Sequence, residues 1–110
     1  MKKTCINNCP IAQAGALVGD MWVILIVREL LSGAKRFTGL REALVPCDSI
    51  TPVNSRTLTA RLKMLEEAGL VLRVEFKHEM PPKVEYSLTK KGKALSKIIE
   101  QIRKYGEHYL

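Results

Sequence analysis

The chain has 110 residues and a mass of 12.4 kDa, which is enough for one domain with a buried core but not for two. Hydrophobic residues make up 46% and charged residues 26% of the sequence, a composition typical of globular proteins that excludes a disordered chain. Eighteen lysines and arginines against eleven acidic residues give a formal charge of +7, which indicates a nucleic acid or another anionic surface as partner.

The sequence predicts neither a membrane span nor export. The longest apolar run, residues 21–27, is far shorter than the roughly 18 to 20 residues that cross a bilayer. Asn7 and Asn8 interrupt any apolar leader near the start. The cysteines form an odd and sparse set, which argues against a secreted disulfide framework: Cys5, Cys9 and Cys47. We therefore expect one domain over residues 1–110, in the cytoplasm, with no membrane partner.

Three helices are predicted before residue 45. Pro10 suits the first turn of a helix over residues 10–18, which Gly19 ends. Asp20 is an expected N-cap for a second helix, residues 21–31, which has almost no polar face and is therefore expected to be buried. Residues 37–44 carry their apolar side chains on one side and predict a short third helix.

The most regular helix is predicted over residues 55–68. It follows the segment 45–53, which contains two prolines, has no helical period and is expected to be a loop. Asn54 provides an N-cap and Gly69 a C-terminal stop. Three leucines recur at intervals of four and three residues and define the buried face: Leu58, Leu62 and Leu65.

A β-hairpin and a final helix follow. Residues 70–77 and 84–88 are alternating and β-branched, and the polar segment 78–83 between them predicts the tip of the hairpin. The final helix is predicted to begin near Thr89. It carries more apolar surface on one stripe than the terminal helix of a small monomer usually offers, which indicates an interface between two copies. The stripe comprises Leu95, Ile98, Ile99, Ile102 and Tyr105.

This order of elements predicts a mainly α fold with a small β-hairpin, the winged form of the helix-turn-helix. In that fold three helices build the core and the last of them enters the major groove of DNA. With the leucines turned inward, Arg56, Ala60 and Lys63 point outward, and Thr57 and Arg61 lie on one flank. This outer face is basic and small, as close approach to base edges requires.

The charge distribution favours double-stranded DNA as the partner. Residues 35–65 hold six basic and two acidic residues, and residues 90–110 hold the same numbers. We predict that the contacts to DNA come from the helix 55–68, its N-terminus, the hairpin tip and the arginine before the third helix. The set is Arg36, Asn54, Ser55, Arg56, Thr57, Ala60, Arg61, Lys63, Lys77, His78 and Lys83.

Motifs along nearly the whole chain resemble the HxlR-type transcriptional regulators of bacteria and archaea, a branch of the MarR-like winged-helix superfamily. Each motif is modest alone, but the ordered set is specific. In chain order it comprises Cys9-Pro10-Ile11-Ala12, Gly19-Asp20-Met21-Trp22, Arg28-Glu29-Leu30-Leu31-Ser32-Gly33, Arg36-Phe37-Thr38-Gly39-Leu40-Arg41, Leu58-Thr59-Ala60-Arg61-Leu62, Leu65-Glu66, Gly69-Leu70-Val71, Pro81-Pro82-Lys83-Val84-Glu85-Tyr86-Ser87-Leu88-Thr89 and Gly92. One departure is the loop 45–53, which looks longer than the family's usual link.

The resemblance implies a homodimer that regulates transcription from a pseudo-palindromic operator. In it the first helix, with Ile11, pairs with the last helix of the second copy. The resemblance also implies a role for Cys9, because some members carry a thiol there that senses oxidants or electrophiles. The position suits that chemistry, since a helix N-terminus stabilises a thiolate. The alternative for Cys9 is a small buried hydrophobic side chain.

Two other functions stay open. A metal-responsive regulator would use the three cysteines with His78 or His108, although their spacing lacks a Cys-x-x-Cys pair. A winged-helix module that binds proteins and not DNA would have the same fold. An enzyme is not expected, because the sequence contains no catalytic triad motif, phosphate-binding loop or paired inward carboxylates, and no cofactor is predicted.

Overall fold

The computed structural model describes residues 9–45 and 52–110, which form six helices and a three-stranded antiparallel sheet. In chain order the elements are α1 (Pro10–Val18), α2 (Met21–Leu30), β1 (Lys35–Arg36), α3 (Phe37–Ala43), α4 (Ser55–Glu67), β2 (Val71–Phe76), β3 (Lys83–Leu88), α5 (Lys90–Lys93) and α6 (Ser96–Tyr109). The predicted mainly α fold with a hairpin is confirmed. Predicted ends differ from observed ones by about one residue in most elements.

The first two helices meet at a sharp bend. Pro10 begins α1, and the N–H of Gly19 closes its last turn on the carbonyl of Gly15 at 2.8 Å. Asp20 then caps α2, as the sequence predicts. Among the described residues no single helix is long and apolar enough to cross a membrane; α1 and α2 reach that threshold only as a pair, bent by 75° at their junction.

The core forms around α2, which is buried between the other elements. Its Val23, Ile26 and Val27 are fully buried and its Leu30 nearly so. Facing it are the three leucines of α4, which confirms the buried face predicted from their spacing. The remaining core side chains come from α3, from the sheet and from four connecting residues: Leu40, Leu44, Val53, Leu70, Val71, Leu88 and Leu95.

The sheet has one strand more than the sequence predicts. Strands β2 and β3 form the hairpin, with Val71 opposite Leu88 and Phe76 opposite Lys83. The short β1 pairs with the other edge of β3, so that the strand order is β1-β3-β2. Two residues are too few to show an alternating pattern, so β1 is recognisable only from its pairing.

The predicted final helix is broken in two. Helix α5 ends at Lys93, and α6 begins at Ser96 after a turn. The turn directs Leu95, which the sequence places on the exposed stripe, into the chain's own core, where its exposure is 9%. The apolar row on the outside of α6 therefore begins at Ile98.

The long loop before α4 is closed at its base. The N–H of Val53 donates to the carbonyl of Leu44 at 3.0 Å, and the Arg41 Nε donates to the carbonyl of Val53 at 3.1 Å. These bonds fix where α4 begins, whatever the length of the loop between them. Residues 46–51, and with them Cys47, lie outside the described residues, as does Cys5 near the start of the chain.

We predict that Gly92→Ala destabilises the fold. A Cβ atom at this position would lie 2.2 Å from the carbonyl oxygen of Leu70, so the backbone would have to move. Such overpacking typically costs about 1–3 kcal/mol. Gly39→Ala is the matched control, because that helical position has no neighbouring atom within 4 Å and alanine should gain roughly 0.5–1 kcal/mol there. Urea unfolding at one protein concentration measures both; a Gly92→Ala variant as stable as the wild type would contradict the prediction.

Candidate nucleic-acid interface

The N-terminus of α4 is open to an anion. Asn54 caps the helix, and its side-chain oxygen accepts a hydrogen bond from the N–H of Arg56 at 2.8 Å. Asn54, Ser55 and Arg56 are all exposed, and the first turn contains no acidic residue. The free N–H groups and the positive end of the helix dipole therefore point to solvent together, an arrangement that favours a phosphate.

The outer face of α4 has the composition predicted from the helical period. Arg56, Ala60 and Lys63 are exposed, while Thr57 is partly buried on one flank. The structure adds Thr59, which is exposed on the opposite flank and which the sequence analysis did not select. Its position, one residue after the buried Leu58, places it about 100° from the core-facing direction, so the helical period alone was enough to find it.

Arg61 is partly buried and holds an ion pair within the protein. Its Nε donates to Asp20 Oδ2 at 2.7 Å, and the two side chains are 34% and 25% exposed. The sequence analysis selected both residues for other reasons, Arg61 for DNA and Asp20 as a helix cap. No sequence pattern indicates their contact, because they are 41 residues apart.

Two hydrogen bonds connect the C-terminal end of α4 to the turn after the hairpin. The Thr89 hydroxyl donates to the carbonyl of Gly69 at 2.6 Å, and the Lys91 ammonium donates to the carbonyl of Ala68 at 2.7 Å. The bond from Lys91 satisfies a carbonyl that the helix leaves unpaired at its end, and a lysine there also complements the helix dipole. Sequence reasoning missed this pair, because the donors follow their acceptors by at least 20 residues.

The wing formed by β2, β3 and their tip carries balanced charges. Lys77 and His78 are exposed at the tip, as predicted. Lys83, however, lies 2.9 Å from the Glu85 carboxylate and 5.0 Å above the ring of Phe76. Over residues 71–88 three basic residues are balanced by three acidic ones, of which Glu79 lies in the tip, so the wing has no formal net charge.

A second ion pair on the wing joins Arg73 to Glu75. This hydrogen bond lowers the pKa of Glu75 below its ordinary value, and the same bond, with a smaller contribution from Tyr86, raises the pKa of Arg73. Arg36, the remaining predicted DNA contact, is exposed on β1 opposite Glu85 of the central strand. The predicted contacts are thus divided between a continuous basic face on α4 and a wing whose charges are largely paired.

The outer helices α1 and α6 have no buried residue of their own. Ile11 on α1 is 83% exposed, and Ile99 is the one residue of the predicted stripe on α6 that packs against the core. The exposed apolar row along α6 lies at intervals of four, three and four residues: Ile98, Ile102, Tyr105 and Tyr109. Helix α6 is therefore amphipathic, and its apolar side is uncovered in the single chain.

Cys9 is the N-cap residue of α1 and is partly exposed. Its thiol takes no part in the cap, while its carbonyl accepts the first helical hydrogen bond, from the N–H of Gln13 at 2.9 Å. Within residues 9–45 and 52–110 no three His, Cys, Asp or Glu side chains come close enough to hold a metal ion. Because the other two cysteines lie outside these ranges, the metal-responsive alternative stays a prediction.

A three-helix core, an exposed basic helix and a β-hairpin define a winged helix-turn-helix protein. The model of the HxlR-like helix-turn-helix family matches residues 17–110. The chain therefore belongs to this family, as its motifs predict. Its curated relatives are named as helix-turn-helix-type transcriptional regulators.

Relatives and solved structures match nearly the full length of the chain. The helix-turn-helix-type transcriptional regulator YybR of Bacillus subtilis (strain 168) is 39% identical over 101 residues, covering 92% of this chain and 75% of YybR. The crystal structure of a transcriptional regulator assigned to the MarR family, from Porphyromonas gingivalis W83, superposes with a TM-score of 0.83 at 29% identity and covers 99% of this chain and 100% of that one. The redox regulator HypR in its oxidised form has a TM-score of 0.77 at 36% identity, covering 93% and 98% of the two chains.

Proposed function

We propose that this protein is a homodimeric, sequence-specific regulator of transcription that binds double-stranded DNA with α4 in the major groove. The observation that carries the proposal is the outer face of α4, where Arg56, Ala60 and Lys63 are exposed on one side of a helix whose capped N-terminus is also exposed. Arginine and lysine can donate to guanine or to phosphate, and the small alanine lets the backbone approach the bases. Lys77 and His78 at the wing tip would reach the adjacent backbone or minor groove.

A second copy of the chain would cover the apolar row of α6. The row is 40% to 68% exposed, and α1 offers a further uncovered apolar side chain in Ile11. Two copies related by a twofold axis would bury both surfaces at once. They would also present two copies of α4, which matches operators with half-sites about 34 Å apart, one turn of DNA.

Cys9 is proposed as the site at which oxidants or electrophiles act. Its place at the N-cap of α1 would bring the thiol beside the dimer interface, where a modification could change the spacing of the two copies of α4. The similarity to a redox regulator, HypR, supports this role. Oxidation needs a second thiol to form a disulfide, and Cys5, Cys47 and the second copy's Cys9 are the thiols that this sequence supplies.

We predict that binding to duplex DNA weakens as salt rises, because lysine and arginine displace cations from phosphates. Lys63→Ala should lower the affinity and reduce the slope of log affinity against log salt by about 0.9. Lys93→Ala is the control, because it removes the same charge from an exposed position on α5, at the opposite end of the wing from its tip. It should leave the affinity and the salt slope unchanged. Wild-type protein with no affinity for duplex DNA, or with affinity independent of salt, would instead favour the protein-interaction module.

We predict that Ile102→Asp separates the dimer without unfolding the chain. Ile102 is 45% exposed in the single chain, so the isolated monomer tolerates aspartate at this position. The dimer, however, would bury an unpaired carboxylate. The dissociation constant should rise by about two orders of magnitude or more. Gln101→Asp places the same charge beside it on α6, outside the apolar row, as the control. Sedimentation equilibrium measures both, and a monomeric wild type would disprove the dimer.

For the redox role, we predict that diamide or a quinone changes the DNA affinity of the wild type by about fivefold or more, the lower end of typical coupling between sites. Cys9→Ser should not respond, while its affinity without oxidant stays that of the reduced wild type. With a quinone, which alkylates a single thiol and needs no second one, Cys47→Ser is the matched control and should respond like the wild type. Equal responses of Cys9→Ser and the wild type would leave Cys9 without a sensing role.

A further inference from the structure

The carboxylate of Asp20 serves two helices at once. Its Oδ1 accepts hydrogen bonds from the N–H groups of Trp22 at 2.9 Å and Val23 at 3.2 Å, which caps α2. Its Oδ2 accepts the bond from the Nε of Arg61 on α4. Three donors therefore compensate one carboxylate, which allows this negative charge to lie beside the helix that would approach a polyanion.

The ion pair leaves part of the Arg61 guanidinium available. In the described part of the chain the terminal nitrogens Nη1 and Nη2 have no acceptor, and the side chain is one third exposed. An arginine without a partner loses much rotamer freedom when it binds. Here the hydrogen bond to Asp20 already restricts the side chain, and the remaining N–H groups are directed before any ligand arrives.

Only Gly19 separates Asp20 from the N-terminal helix. The N–H of Asp20 donates to the carbonyl of Leu17 at 3.2 Å, so the last turn of α1 is bonded to the capping residue without an intervening linker. Gly19 between them has no spare room, because a Cβ atom there would lie 2.6 Å from the carbonyl oxygen of Gly15. The position of α1 is thereby connected through one residue to a side chain on α4.

We propose that Asp20 is a positioning residue for DNA recognition, which holds Arg61 in the one orientation that contacts the preferred DNA sequence. This rests on the proposed function, since it assumes that α4 binds DNA. Arg61 is the residue that would touch DNA, and Asp20 acts through it. Because only Gly19 separates Asp20 from α1, the hydrogen bond between Asp20 and Arg61 also connects the N-terminal helix to α4.

Asp20→Asn separates the two tasks of the carboxylate. Asparagine keeps an oxygen that can cap α2, but its amide group cannot accept from Arg61. Affinities are measured for two duplexes: one recovered by selection from a randomised library with wild-type protein, and a scrambled duplex of the same composition. We expect about tenfold weaker binding to the selected duplex and unchanged binding to the scrambled one, within the range usual for residues in contact.

Three further variants make the result specific. Glu29→Gln removes a carboxylate that pairs with Arg28 on the same helix and should leave the discrimination between the duplexes intact. Arg61→Lys keeps the charge and the α2 cap, loses the guanidinium geometry and should lose discrimination, even if Asp20→Asn fails to fold. In an Arg61→Ala background, Asp20→Asn should have no additional effect on discrimination.

The alternatives give different results. Stronger binding of Asp20→Asn to both duplexes would mean that Asp20 keeps Arg61 away from DNA, which overturns the proposal. If Asp20→Asn loses the same affinity for both duplexes and has a lower melting temperature, the role of Asp20 is purely structural, which also overturns the proposal. If Asp20→Asn and Arg61→Lys both still distinguish the selected duplex from the scrambled one as well as the wild type does, the positioning role of Asp20 is contradicted. The proposed function is not contradicted by that result. Wild-type protein that binds neither duplex contradicts the proposed function itself.

Discussion

The row of leucines along one face of α4 is the contact on which the rest of the structure depends. Leu58, Leu62 and Leu65 are at most 1% exposed and pack against α2, and full burial of each such side chain contributes roughly 1.5–3 kcal/mol. With that face fixed inward, the helical period leaves Arg56 and Lys63 no direction but outward. The same hydrophobic contact therefore stabilises the fold and determines which side chains of α4 face outward, where the proposed DNA contacts lie.

Hydrogen bonds then fix α4 along its axis. Arg41 holds the residue before its N-cap, Asp20 holds its middle through Arg61, and Thr89 and Lys91 hold its end. These hydrogen bonds come from three places in the fold, namely α3, the junction of α1 with α2, and the start of α5, so a displacement of any one of them would affect α4. A regulator that changes operator affinity by small shifts requires such connections, because packed cores rearrange between discrete states and do not deform smoothly.

Local signals predicted most of this architecture. The Asn54 cap, the leucine spacing and the charges of the outer face are all set within one or two helical turns, and the structure contains them where the sequence indicates. The features that could not be predicted depend on contacts between residues that are far apart in the sequence. The strand β1 exists only through its pairing with β3, the inward turn at Leu95 follows from packing against the core, and the contact between Asp20 and Arg61 joins residues 41 positions apart. The helical period thus predicts the place of Arg61 on α4, but not its ion pair with Asp20.

Hydroxyl-radical footprinting on a selected duplex tests the central claim most directly, because it reports where α4 lies on DNA without altering the protein. A twofold dimer that places one α4 in each half-site predicts two protected regions on the same face of the duplex, with centres about 10 base pairs apart. The protection should be symmetric about the midpoint and should disappear at high salt. A single protected region, or uniform protection along the duplex, would contradict an account in which two copies of this helix bind adjacent turns of the major groove.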